Sequence, residues 1–153
     1  AKLAAVIGQD RLCVEDLCPK FIESQYSETS LSNIKANAEQ FLAVFDSGLD
    51  NLADESDSEF SSLFKGLITD VVTKIEELEA SAGPTSLKAH VSSIEANGAI
   101  NACGNAFANP DSEGDPQICT LAGKMKKVTD KLKIEFVTYL GVSLPEAAQG
   151  DTD

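Results

Sequence analysis

Four cysteines carry the clearest chemical signal in this 153-residue sequence: Cys13, Cys18, Cys103 and Cys119. An even count in a small acidic chain predicts two disulfides and an oxidising compartment, because cytosolic thiols are kept reduced. Three connectivities are open. On one regular helix Cys13 and Cys18 would stand about 140° apart around the axis, out of reach of each other. A bridge between them therefore needs a break in the helix, and Pro19 offers a place for one. Cys103 and Cys119 flank the turn-rich stretch NPDSEGDP (109–116). They can bridge each other, or each can tie the N-terminal segment to the end of the helices. Zinc fits poorly, since the spacing is wrong and the single histidine, His90, is far from every cysteine in sequence.

The remaining reactive residues point away from catalysis. His90 reads as a boundary residue of a helix, and no serine or cysteine lies in a nucleophile-elbow pattern. Asp111, Glu113 and Asp115 alternate as the first calcium ligands of an EF-hand would. The sixth position is Pro116 instead of glycine and the twelfth is Ala122 instead of glutamate, so the stretch reads as a solvated turn. The sequence predicts a non-enzymatic protein with no cofactor and no metal.

These residues must be positioned by helices. The apolar residues Phe60, Leu63, Phe64, Leu67, Ile68, Val71, Val72, Ile75 and Leu78 recur in three- and four-residue steps. They predict a long amphipathic helix over 57–82, ended by Gly83-Pro84. Ser61, Lys65, Lys74 and Glu77 fall on its water-facing side. A helix with Leu31, Ile34, Ala38, Phe41, Leu42, Phe45, Leu49 and Leu52 inward precedes it. A helix capped by Thr85 or Ser86 follows, weakens at Asn97-Gly98 and resumes through Cys103. The last helix runs over about 117–140, with Ile118, Leu121, Met125, Val128, Leu132, Phe136 and Tyr139 inward. A short, Pro19-interrupted helix over 13–25 comes first, after a weakly apolar segment over 1–12. No period-two alternation competes. The fold class is therefore all-α: a disulfide-stabilised five-helix bundle, one short helix plus four long ones. Residues 1–141 form one domain and 142–153 a flexible C-terminal tail.

Net charge of −13 sets the chain against nucleic-acid phosphates and anionic membranes. No apolar window is long enough for a transmembrane span. Charges are unevenly spread. Asp46, Asp50, Asp54, Glu55, Asp57 and Glu59 crowd one end of the second and third helices, and Glu76, Glu77 and Glu79 the far end of the third. Lys124, Lys126, Lys127, Lys131 and Lys133 gather on the last helix. Two uses are open. The charges can pair within the molecule on a solvated face. Alternatively, acidic and basic patches of two copies can meet, with Lys65, Glu76, Glu77, Glu79, Lys124, Lys127 and Lys131 as interaction residues. Crowded glutamates would then make association sensitive to pH.

The order of the segments LSNIKANAEQFLAVFDSGLDNL, SEFSSLFKGLITDVVTKIEELEAS, SLKAHVSSIEANGAINACGNAF and PQICTLAGKMKKVTDKL resembles the N-terminal domain of spider silk proteins (spidroins). Lys65 early in the third helix, and Glu76 and Glu79 late in it, are similar to that family's charge pattern. The resemblance implies a secreted assembly domain that forms an antiparallel homodimer as pH falls. The sequence departs from the family in Leu31-Ser32-Asn33, which lacks an acidic pair, and in having Met125 as its one methionine. DLCPKFIES is similar to the start of plant inhibitors of pectin methylesterase and invertase, though its cysteine spacing is shorter. The expectation is a secreted helical interaction or assembly domain. The alternative is a carrier of an apolar ligand such as a lipid, with a cavity among Phe41, Phe45, Phe64, Leu67 and Phe136, or an inhibitor of a partner enzyme.

Overall fold

Apolar residues spaced for one helix face become helices throughout the computed structural model, which describes residues 3–24, 26–112, 114–139 and 141. No strand forms among the described residues. The elements are α1 (Leu3–Val6), α2 (Ser30–Val44), α3 (Asp50–Asp54), α4 (Phe60–Ala80), α5 (Leu87–Asn97), α6 (Ile100–Ala108), α7 (Gln117–Lys131) and α8 (Val137–Tyr139). Single π-turns at Phe45–Leu49 and Leu132–Phe136 join α2 to α3 and α7 to α8, and 3-10 turns lie at Pro19–Phe21 and Pro110–Ser112. The expected tail over 142–153 lies outside the described residues.

Local chemistry sets the boundaries. Asp54 accepts the Ser61 N–H at 3.0 Å and Asp57 accepts that of Glu59 at 3.0 Å. These carboxylates satisfy orphan amides at the start of α4, whose positive dipole end favours them. The Ser61 hydroxyl donates to the Asp50 carbonyl at 2.9 Å, locking the α3–α4 corner and explaining why Ser61 is buried. Ser86 caps α5 by accepting the Ala89 N–H at 3.3 Å. Gly98, at φ +61°, ends α5 in the left-handed conformation and splits the expected fourth helix into α5 and α6.

The long helix α4 packs along both α2 and α7, and α6 packs along α7. Its buried face is Phe60, Phe64, Ile68, Val71, Ile75 and Leu78. Each such side chain contributes roughly 1.5–3 kcal/mol on burial. Leu63 lies one step off this stripe and is 55% exposed, contrary to the sequence expectation. Lys74 differs in the opposite sense. Placed on the water-facing side by period, it is 3% exposed, with its alkyl stem covered and its ammonium 2.9 Å from Glu77.

Two apolar clusters form the interior. One gathers Leu3, Val6, Ile7 and Ile22 with the inner faces of α4, α5, α6 and α7. The weakly apolar N-terminal segment is thus core. The other is aromatic: Phe45, Phe60, Phe64 and Phe136 are buried together, with Phe41 and Tyr139 at the edge. Phe60 and Phe136 stack with centroids 5.9 Å apart, and Phe45 meets Phe64 edge-on at 5.1 Å. The π-turn at Phe45–Leu49 contains Gly48 at φ +135°, a conformation open to glycine, and there the chain leaves the α2 path. Leu52, expected on the inward stripe, is 45% exposed as a result.

Candidate functional site

The cysteines pair locally. Cys13 bonds Cys18, and Cys103 bonds Cys119. The first pairing is possible because the expected helix over 13–25 does not form among its described residues: residues 11–18 are turns, bends and irregular chain, and Pro19 starts only a 3-10 turn. The second joins α6 to α7, which approach closely. A Cβ on Gly123 would stand 2.3 Å from the Phe107 carbonyl oxygen, so only glycine lets the helices meet there.

The structure engages most of the proposed interaction residues internally. Lys65 sits between Asp46 at 2.6 Å and Asp50 at 2.9 Å. Its hydrogen bond holds the Asp50 carboxyl below the usual carboxylate range. Glu76 takes the Lys35 ammonium at 2.7 Å, Glu77 takes Lys74, and Glu79 accepts the Ser32 hydroxyl at 3.1 Å. Lys127 binds Asp111, whose carboxyl is pulled below its ordinary range by that bond. Lys124 adds to the positive field on Asp111, and Lys131 pairs with Glu135 at 2.6 Å. Intramolecular pairing therefore describes these charges. Asp115, the other described member of the alternating acidic triplet, accepts the Gln117 amide at 3.0 Å. Among the described residues no three His, Cys, Asp or Glu side chains converge as a metal site, and no helix is long and apolar enough to cross a membrane.

Concavity lies elsewhere. Phe45, Phe64 and Phe136, expected to border a lipid cavity, are packed against one another. A hollow of about 240 Å³ lies beside them between α2, α4 and α7, lined by Ala38, Phe41, Met125 and Val128 over Ile68 and Val71. The larger cavity, of about 410 Å³, is a half-open hollow bordered by the end of α4, by α5, by the start of α6 and by the start of α7. Leu78, Pro84, Ile94, Ala99 and Ile118 give it an apolar wall. Ser81, Ser93, Asn97 and Gln117 add uncharged polar groups, and Glu77 and Asp115 bring the charges among its lining residues.

His90 borders this cavity, half-buried on α5. Its Nε2 is sealed from solvent and has no hydrogen-bond partner. Burial pushes the imidazole below its ordinary pKa, which keeps it neutral near pH 7. An orphaned buried nitrogen costs about 1–3 kcal/mol. No sequence signal marks this cavity. Its walls come from four helices, each of which supplies only a few of the lining residues. No family model, curated protein or solved structure matches the chain.

Proposed function

We propose that this chain is a secreted, non-catalytic binding protein that holds a small, mostly apolar ligand in the 410 Å³ cavity between α4, α5, α6 and α7. The observation that carries this reading is the cavity itself. Its volume lies within the roughly 300–1,000 Å³ of small-molecule sites, and an apolar wall with a few convergent polar groups is their usual lining.

Secretion rests on the two disulfides. We group the helices as a bundle of a short N-terminal element and four arms: α2 with α3, α4, α5 with α6, and α7 with α8. The acidic surface opposes nucleic acid as a partner. Likeness to the spidroin domain rests on helix order and charge placement, and the antiparallel dimer that it implies would first have to break the pairs of Lys65, Lys127 and Lys131.

Mass spectrometry of an organic extract of protein secreted from its native cells tests the proposal. The expected result is one apolar compound near equimolar amount, absent from a variant whose cavity is filled by Ser93→Phe. An empty extract, or the same compound from both proteins, counts against it.

A further inference from the structure

A second concavity, which shares only Ile94 with the ligand cavity, is built on the small disulfide loop. We infer that the cleft between the Cys13–Cys18 loop and the α5–α6 junction is a docking site for an arginine side chain of a partner protein. The cleft measures about 320 Å³. Leu17, Pro19, Ile94 and Ile100 form its apolar surface, and Glu15, Asp16 and Glu95 stand at it as carboxylates.

Three features agree on the occupant. The lining charges are all negative, and the Asp16 and Glu95 carboxylates have no hydrogen bond or ion pair among the described residues; Glu15 meets Lys20 loosely at 3.7 Å. Glu95 and Gly98 lie at the C-terminal end of the eleven-residue α5, where the helix dipole is negative. The apolar surface suits a three-carbon stem, and a planar guanidinium can take a carboxylate with two parallel hydrogen bonds. Val14, 89% exposed next to Glu15, offers apolar contact beyond the cleft, which a partner surface would cover and a free small cation would not. The net charge of −13 steers a basic partner toward the molecule.

The loop is held in place before any partner arrives. Cys18 is fully buried and its N–H donates to the Val6 carbonyl at 3.0 Å. The Cys13 N–H donates to the Asp10 carbonyl at 2.9 Å. Gly8 lies directly under the Asp16 carbonyl. A preordered loop loses little conformational entropy on binding.

Amide chemical-shift mapping of the whole chain tests this. The probe is the capped pentapeptide acetyl-Gly-Leu-Arg-Leu-Gly-amide, with a citrulline version as its neutral isostere and agmatine as a free alkyl guanidinium, each added to about 10 mM. The arginine peptide is expected to shift the amides of Asp16, Glu95, Gly98 and Ile100 saturably. Citrulline, or the exposed-site double variant Asp16→Asn/Glu95→Gln, is expected to weaken binding about tenfold or more. Agmatine is expected to bind more weakly than the peptide. No saturable shifts, equal binding by the citrulline peptide, or unchanged binding by the folded double variant would overturn the inference. Agmatine binding as tightly as the peptide would reassign the cleft to a small cation and overturn it equally.

Discussion

Gly8 sits beneath Asp16 so closely that a Cβ on Gly8 would stand 2.0 Å from the Asp16 carbonyl oxygen, and its φ is +72°. This contact seats the disulfide loop on the N-terminal segment. Gly8→Ala should therefore cost about 2–4 kcal/mol, from the left-handed backbone and the backbone clash together. Gly98 has a similar φ of +61° but nothing within 4 Å of the added carbon. Gly98→Ala should cost only about 1 kcal/mol. Urea denaturation of the two variants should show that order.

The aromatic cluster gives a sharper contrast within one helix. Phe60 touches Phe45, Phe64, Phe136 and Tyr139, while Leu63, three residues on, faces solvent. Phe60→Ala should destabilise by about 3–5 kcal/mol. Leu63→Ala should change stability by no more than about 0.5 kcal/mol. Comparable midpoints for both in guanidinium would mean that α4 buries a different face.

His90 links stability to pH. Its folded pKa is depressed by burial, so the unfolded chain takes up a proton first as pH falls. Its linkage penalty is absent above the unfolded value of about 6.5 and grows as pH drops from there through the lower folded value. Urea midpoints should fall across that window in the wild-type protein and fall less in His90→Gln. Parallel pH profiles would place the sensitivity on other groups.

Self-association is directly measurable. Lys65, Lys127 and Lys131 are held by Asp46 and Asp50, Asp111, and Glu135 within one copy. Sedimentation velocity at about pH 7.5 and about pH 5.5 should find a monomer at both, since each of these lysines already has a carboxylate partner within its own copy. A salt-sensitive dimer confined to the lower pH would favour assembly through the charged patches.

Local features of this fold were legible in the sequence. The stripe from Phe60 to Leu78, the Ser86 cap and the interruption at Gly98 each depend on neighbours within one or two turns. Features that depend on distant partners were not. Lys74 looks solvent-facing by period, and its burial follows from what packs over α4. Gly123 has no partner within its own turn that marks it, yet it is the contact that lets α7 approach Phe107. The charge clusters were visible, but their pairing was not, because Lys65 reaches back fifteen residues to Asp50 and Lys127 sixteen to Asp111. The cavity at His90 left no pattern at all, since α4, α5, α6 and α7 each supply only part of its wall.

A fluorescence titration with the apolar probe N-phenyl-1-naphthylamine tests the ligand cavity at His90 most directly. The wild-type protein should bind about one probe saturably. Ser93→Phe, which fills the cavity, should weaken binding about tenfold or more with its circular dichroism unchanged. Ala38→Phe, which fills the smaller hollow between α2 and α7, should bind as the wild type does. No saturable signal, or wild-type affinity in folded Ser93→Phe, would contradict the account.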